Sequence, residues 1–268
     1  MRDRRLLLLS NSRNAGQEFL EHAKDQIRDL LGDRVKTVLF VPFASVLASY
    51  DDFTLRVAQG FSNMRYEVCS LHRAGDPKRA VGEAEAIVVG GGNTFNLLNA
   101  LYERDLLPAI QERVGNGVPY IGWSAGANAA CPTIKTTNDM PIVEPPSFDA
   151  LNLVPFQINP HFIDIELPGD PAETRAQRLA EFVEVNPHIY VVAMRDGTML
   201  RVEGTSVELQ GIRKVRVFVK GQNPTDYSPS DSLQFLLDDE NSVLPMPDNA
   251  AHPSTRVRHK IPSARRFA

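Results

Sequence analysis

Short apolar runs alternate with longer amphipathic stretches, and this alternation restricts the fold more than any other feature. Leu6–Leu9 is apolar without a polar residue between, which is typical of a strand buried on both faces. Gln17 to Leu31 then repeats apolar residues at helical spacing and ends at Gly32. Strands and helices that alternate in units of about 30 residues favour parallel βαβ crossovers. We therefore predict an α/β fold, with a mostly parallel sheet flanked by helices. The other predicted strands of this half are 37–41, 66–69, 86–89 and 119–122.

The second half of the chain predicts antiparallel pairing. Four short apolar runs lie between Ile189 and Val219, and they are separated by Asp196-Gly197, Gly204 and Gly211. Short runs bounded by glycine are typical of hairpins. We place these strands at one edge of the sheet, within a single domain.

The composition changes near residue 222. Pro, Ser, Asp and Asn dominate from there, followed by Arg and Lys. We predict a domain over residues 1–221 and a flexible tail over residues 222–268. The alternative is an arm that docks through Phe235 and Leu236.

Charge and cysteine content narrow the class of function. The chain has 29 Lys and Arg against 33 Asp and Glu, and a net charge of −4 does not favour binding to nucleic acid or to an anionic membrane. Its two cysteines form no C-x-x-C pattern, and no apolar run approaches the roughly 18 residues of a membrane span. We expect a cytoplasmic protein that uses no metal or other cofactor.

The strongest local motif is Gly122-Trp-Ser-Ala-Gly126. It lies between a predicted strand and a run of small residues that can begin a helix, which is the setting of a nucleophile elbow. A sharp turn there would expose Ser124, and the amide of Ala125 would point at a developing oxyanion. The motif predicts that Ser124 is a catalytic nucleophile.

A second motif, Gly90-Gly-Gly-Asn93, follows the predicted strand that ends at Val89. Three glycines leave backbone amides open to a ligand. Both motifs would emerge at the carboxyl ends of parallel strands, where α/β sheets build their sites. We therefore predict that Gly92 supplies a second oxyanion donor, and that Thr94 caps the helix that follows.

A serine nucleophile requires a base, which is usually histidine. Of the six histidines, His161 is the best candidate, because it lies in Gln157-Ile-Asn-Pro-His after an apolar run and a helix-breaking proline. An acid must then orient the imidazole. Asp139 and Asp196 are both candidates, and the residues alone do not choose between them.

Together these motifs resemble the peptidase E family of α-aspartyl dipeptidases, within the serine peptidase family that also contains cyanophycinases. The resemblance covers about residues 5–220 and does not include the tail. The matching segments keep their order along the chain, and they are Leu6–Ser12, Val41–Phe43, Ile87–Phe95, Tyr120–Asn128, Cys131–Ile134, Thr136–Val143 and Gln157–Phe162.

The resemblance implies a fold similar to class I glutamine amidotransferases, with serine in place of cysteine, and hydrolysis of dipeptides that begin with aspartate. It implies Ser124 as nucleophile, His161 as base, and the amides of Gly92 and Ala125 as the oxyanion hole. For the acid it offers either Asp139 or a glutamate position that here holds Asp196, the shorter acid. We rank Asp139 slightly ahead, because its surrounding motif matches without change.

Selectivity for aspartate requires a cation for the side-chain carboxylate. Arg175 matches a family arginine and is our candidate, although an exposed helical arginine paired with Glu181 is an equal alternative. Asn93 and Thr94 are predicted to line the pocket, and we expect a small, closed site to exclude longer peptides. The partner is a small peptide, bound by a monomer or homodimer. Two rivals are a cyanophycinase-like hydrolase of β-aspartyl linkages and a binding protein without turnover.

Overall fold

Two β-sheets with flanking helices form the described part of the protein. The structure is a computed structural model, and it describes residues 4–164 and 173–238. The strands are β1 Arg5–Leu9, β2 Thr37–Val41, β3 Glu67–Ser70, β4 Ile87–Val89, β5 Tyr120–Trp123, β6 Gln157–Asn159, β7 Val191–Met194, β8 Thr198–Glu203, β9 Ser206–Gly211, β10 Val215–Phe218 and β11 Thr225–Tyr227. The α-helices are α1 Lys24–Leu31, α2 Tyr50–Ser62, α3 Pro77–Glu83, α4 Thr94–Glu103, α5 Leu107–Gly115, α6 Ala125–Ala129 and α7 Arg175–Val185.

The larger sheet has seven strands in the order β3-β2-β4-β5-β1-β8-β9. Its first five strands are parallel, whereas β8 and β9 continue it in antiparallel fashion. Leu6 and Leu8 are fully buried on one face of β1, and Leu7 and Leu9 are fully buried on the other. The predicted α/β class, with a mostly parallel sheet, is confirmed.

A second sheet contains two of the strands that we predict at the edge of the first. Its order is β11-β10-β7-β6, so the prediction that all four hairpin strands extend one edge of a single sheet is wrong for β7 and β10. The physical reason is that β7 is buried on both faces. Val192 packs in the main core, while Val191 packs in a separate cluster with Phe162 and Phe218.

The predicted flexible tail is wrong for the part of it that the structure describes. Strand β11 pairs with β10, and a short 3-10 helix, Gln234–Leu237, follows. Leu236 is fully buried, and the ring of Phe235 lies 5.2 Å from that of Tyr190. This segment is therefore the docked arm, driven by apolar burial. Residues 239–268 of the predicted tail lie outside the described residues.

The first predicted helix is shorter than its apolar spacing indicates. Residues 17–20 are not helical, and α1 begins only at Lys24 after a 3-10 turn at Glu21–Ala23. Leu20 adopts a φ of +58° and donates its backbone N–H to the carbonyl of Ser12 at 2.8 Å. The chain thus folds back on itself before the helix starts.

The register of the larger sheet sets three strand ends side by side. Leu9 of β1 lies level with Trp123 of β5, and Gly122 lies level with Val89 of β4. The residues that follow these strands therefore meet at one edge, where open α/β sheets bind ligands. Within the described ranges, no helix is both long enough and apolar enough to cross a bilayer.

Candidate active site

Ser124 lies in the sharp turn between β5 and α6. Its φ of 52° and ψ of −113° are unusual for a residue with a side chain, and such conformations cost about 1–3 kcal/mol. The backbone N–H of Ser124 donates to the carbonyl of Leu9 at 3.0 Å, which anchors the turn to β1. The structure therefore holds the hydroxyl at the predicted elbow.

The glycine at the end of the motif lets the helix approach the sheet. A side chain at Gly126 would place its Cβ 2.2 Å from the carbonyl oxygen of Val89, which is far inside contact distance. The hydroxyl of Tyr120 donates to the carbonyl of Gly126 at 2.7 Å and fixes the same contact. This packing sets α6 directly behind Ser124.

The glycine loop (Gly90–Gly92) lies directly beside Ser124. A Cβ built on Gly91 would lie 3.0 Å from the Cβ of Ser124. Gly92 has a φ of +140°, and its Cβ would lie 2.2 Å from the carbonyl of Ala44, so the position requires glycine. The structure thus brings the two predicted loops together, with Gly91, Gly92 and Ser124 all lining one cavity.

His161 lies within hydrogen-bonding distance of both of its expected partners. Its Nε2 lies 2.9 Å from Oγ of Ser124, and its Nδ1 lies 2.7 Å from Oδ1 of Asp196. The carboxylate can only accept, so Nδ1 donates to it, and Nε2 of the neutral ring then accepts from the serine hydroxyl. This is the order of groups in a serine hydrolase triad.

Asp139, which we rank slightly ahead of Asp196 as the orienting acid, bonds to Thr94 and Thr137. Its Oδ2 accepts from the backbone N–H of Thr94 at 2.7 Å, from the Thr94 hydroxyl at 2.6 Å and from the Thr137 hydroxyl at 3.1 Å. The histidine at position 161 contacts Asp196 instead. The preference for Asp139 over Asp196 is therefore wrong. A motif match does not distinguish a carboxylate that orients a histidine from one that orders a loop.

Ser10 and Asn11, which immediately follow β1, support the triad and were missed. The fully buried Ser10 hydroxyl accepts the backbone N–H of His161 at 2.9 Å and donates to the carbonyl of Met194 at 2.8 Å. Asn11 accepts the backbone N–H of Gly197 at 2.8 Å. The only signal in the sequence is that polar residues directly follow an apolar strand.

The surroundings of Asp196 favour its charged form. The hydrogen bond from His161 is the largest cause, and it lowers the pKa of this carboxyl below its usual value, whereas burial raises the pKa. The pKa is lowered further by the charge of His161, a hydrogen bond from Ser10 and the charge of Arg213. Asp196 is therefore an anion at neutral pH. A fixed anion can orient the imidazole and stabilise an imidazolium.

The cavity at Ser124 and His161 has a volume of about 960 Å³. This is the upper end of the range of about 300–1,000 Å³ for ligand pockets, so the expected small, closed site is not what the structure shows. Asn93 lines the cavity, and its Nδ2 donates to the carbonyl of Met140 at 2.8 Å. Asn93, rather than Thr94, caps α4 through the backbone N–H of Asn96.

Thr94 and Arg175 do not line this cavity. The backbone and side chain of Thr94 donate to Asp139, and the guanidinium of Arg175 donates to the carbonyl of His161. The alternative pairing of Arg175 with Glu181 is not present among the described residues. No group of three or more His, Cys, Asp or Glu within residues 4–164 and 173–238 is arranged to hold a metal ion.

Residues 6–210 match the family model for Peptidase family S51. The chain belongs to Peptidase family S51. This S51 member is 49% identical over 235 residues to a peptidase E of Nostoc sp., an alignment that covers 88% of this chain and 97% of the relative. It is 47% identical over 235 residues to a peptidase E of Streptomyces coelicolor, covering 87% and 95%. The family resemblance seen in the motifs is confirmed.

A solved structure supports the fold of this S51 member. A peptidase from an acI-B1 Actinobacterium superposes with a TM-score of 0.64 at 18% identity, and it covers 85% of this chain and 96% of that one. At this identity the likeness concerns the fold. The fold is therefore shared with a protein of low sequence identity.

Proposed function

We propose that the protein is a serine dipeptidase that hydrolyses dipeptides with an N-terminal aspartate. One observation carries the proposal: the hydrogen bonds of 2.9 Å and 2.7 Å that join Ser124, His161 and Asp196. Membership of Peptidase family S51 supports the peptidase activity. The resemblance to the α-aspartyl dipeptidases supports the choice of aspartate.

In the proposed mechanism, Oγ of Ser124 attacks the scissile carbonyl while Nε2 of His161 takes its proton. The backbone amides of Gly92 and Ala125 bind the oxyanion. The imidazolium, stabilised by Asp196, gives the proton to the leaving amine as the C–N bond breaks. Water, deprotonated by His161, then attacks the aspartyl ester, and the proton returns to Ser124 as free aspartate leaves.

For recognition of the aspartate, we propose Arg175 and Asn93. Asn93 lines the cavity. The guanidinium of Arg175 lies against the backbone of His161, and arginine pairs with carboxylates in a bidentate manner. Its side chain must rotate away from the carbonyl of His161 to reach a substrate. Thr94 does not line the cavity, and it supports the site indirectly, through its hydrogen bonds to Asp139.

A panel of dipeptides that differ only in the first residue tests this function. We expect hydrolysis of Asp-Leu and little hydrolysis of Asn-Leu or Ala-Leu, because the neutral side chains lack the carboxylate. Ser124→Ala should abolish hydrolysis while circular dichroism and thermal stability stay close to the wild type. Cleavage of β-aspartyl dipeptides in place of Asp-Leu would support the cyanophycinase-like rival. Binding without turnover, together with no labelling of Ser124 by a serine-reactive probe, would support the binding-protein rival.

We also propose a cytoplasmic location, because the two cysteines, Cys69 and Cys131, are free thiols, and thiols stay reduced there. Cell fractionation tests this point. The proposed partner is a small peptide, with neither nucleic acid nor membrane involved, and the proposed assembly is a monomer or a homodimer. Light scattering of the purified protein tests the assembly. Activity that persists in a chelator would agree with a mechanism that uses no metal.

A further inference from the structure

The cavity continues from Ser124 along one face of α2. Phe53, Arg56, Gln59 and Asn63 all line it, and their spacing of three or four residues places them on a single helical face. The ring of Phe53 lies against the glycine loop, since a Cβ on Gly90 would meet it at 2.8 Å. Arg56 is three residues further along the helix, a rise of about 4.5 Å. The cavity therefore leads from the reacting atoms to the side chain of Arg56.

The charges in this cavity favour an anion. Among the residues that the structure describes, the ionisable side chains that line it besides His161 are Arg13, Glu18 and Arg56. Arg13 uses its Nε to donate to the carbonyl of Gln17 at 2.7 Å. Arg56 makes no hydrogen bond or ion pair within the described ranges, 4–164 and 173–238, so its guanidinium is open to a ligand. Arginine presents a planar set of donors that matches a carboxylate.

Apolar side chains border the same cavity. Val46 and Ile142 are about half exposed, and Leu47 is fully exposed. Three exposed apolar residues around one opening are typical of a binding surface rather than of ordinary solvent-facing chain. They offer a contact for an apolar side chain.

We propose that Arg56, assisted by Arg13, binds the C-terminal carboxylate of an Asp-X dipeptide, and that Val46, Leu47 and Ile142 contact the side chain of an apolar X residue. This inference rests on the proposed function. The large cavity alone would not exclude longer peptides, whereas recognition of a carboxylate by Arg56 would. A tripeptide places a neutral amide where Arg56 meets a carboxylate, and its own carboxylate lies about 3.5 Å further on.

The test compares Arg56→Gln with the wild type on three substrates: Asp-Leu, its C-terminal amide Asp-Leu-NH2, and aspartyl p-nitroanilide, which has no carboxylate on the leaving side. Loss of a charged hydrogen bond typically lowers affinity about 10- to 100-fold. We expect kcat/KM for Asp-Leu to fall by that factor, mainly through KM, while the other two substrates change less than about twofold. Arg56→Lys should restore part of the loss, because it keeps the charge but not the planar donors.

Arg28→Gln is the matched control, because Arg28 is an exposed helical arginine on α1 that does not line the cavity. It should leave all three substrates unchanged. An equal loss on all three substrates in Arg56→Gln would place Arg56 on the aspartyl side and overturn the proposal. An unchanged kcat/KM for Asp-Leu would also overturn it.

Calorimetry on the Ser124→Ala variant separates this proposal from the proposed function. It measures the affinity for Asp-Leu and for Asp-Leu-NH2 without turnover. A preference for the free carboxylate that disappears when Arg56→Gln is added supports the subsite, even if the wild type hydrolyses no aspartyl substrate. Equal affinity for the acid and the amide in Ser124→Ala would overturn the subsite, even if hydrolysis of Asp-Leu is normal.

Discussion

The side-chain oxygen of Ser10 lies 2.9 Å from the backbone nitrogen of His161 and accepts its N–H. The preceding residue, Leu9, accepts the backbone N–H of Ser124 at 3.0 Å. Leu9, the last residue of β1, and Ser10, which follows it, thus anchor the proposed nucleophile and the proposed base respectively. Because His161 has a φ of +54°, its backbone needs such an anchor to stay in an unfavourable conformation.

Ser10→Ala should therefore lower kcat and leave KM nearly unchanged. The variant removes the acceptor for the His161 backbone and a hydrogen bond near Asp196, without touching the substrate cavity. A lost hydrogen bond of about 1–2 kcal/mol corresponds to a decrease in kcat of roughly 5- to 30-fold. Steady-state kinetics on Asp-Leu measure both constants.

Ser70→Ala is the control for this prediction. Ser70 is a buried serine of the same sheet, and its hydroxyl bonds with Thr54 and His72, away from the triad. It should lose stability without losing kcat. If both variants lower kcat to the same extent, Ser10 is only a structural residue of the sheet.

The two candidate acids should respond differently to the same substitution. Asp196→Asn replaces the carboxylate that orients the ring of His161 with a neutral amide, whose N–H can donate to Nδ1 and select the wrong tautomer; the same change in a serine protease triad lowers kcat by about 10⁴-fold. Asp139→Asn disturbs a loop bonded to Thr94 and Thr137 and should lower stability by about 1–3 kcal/mol, with a smaller effect on kcat. Kinetics and urea unfolding of both variants decide the matter. A larger loss of kcat in Asp139→Asn would contradict the assignment of Asp196.

Much of the site could be predicted because its signals are local. Ser124 lies in a five-residue motif between a strand and a helix, and the glycine loop directly follows β4. Steric limits act within such short segments, so the residue types reveal the turn. The parallel part of the sheet was predictable for the same reason. Leu6–Leu9 is entirely apolar, which indicates burial on both faces, and all four side chains are buried.

What the sequence could not determine depends on contacts between distant residues. The choice of Asp196 over Asp139 requires the position of the turn after β7 relative to β6, and that pairing is set by the second sheet. The hydroxyl of Ser10 meets the backbone of His161 across 151 residues of sequence. Burial of Leu236 likewise depends on the pairing of β11 with β10. Because β11 is short and polar, its sequence does not indicate this pairing.

The lowered pKa of Asp196 gives the stability a defined pH dependence. Its carboxyl titrates below the value of about 3.9 expected in the unfolded chain, so around that pH the native state binds fewer protons. The contribution of Asp196 to the free energy of unfolding is then fully present above about pH 5 and is lost as the pH falls through the native pKa. Because the side chain is half exposed, the contribution is small.

Urea unfolding of the wild type and Asp196→Asn across pH 2.5–7 checks this dependence. The difference in unfolding free energy should be constant near neutrality and should shrink in acid. The hydrogen bond from His161 is the largest cause of the shift, so in a His161→Ala background the same difference should lose most of its pH dependence. A difference in unfolding free energy that grows in acid would show that the predicted direction of the pH dependence is wrong.

Leu236→Ala should destabilise the whole domain, because the segment after β11 is part of the core. The Leu236 side chain is fully buried in the main hydrophobic cluster, and removal of such a side chain typically costs about 2–5 kcal/mol. Ile212→Ala is the control, since Ile212 is 90% exposed and its truncation should change stability by less than about 0.5 kcal/mol. Urea unfolding measures both. Equal stabilities for Leu236→Ala and the wild type would mean that the arm does not contribute to the cooperative fold, because a mobile segment leaves no cavity when its side chain is shortened.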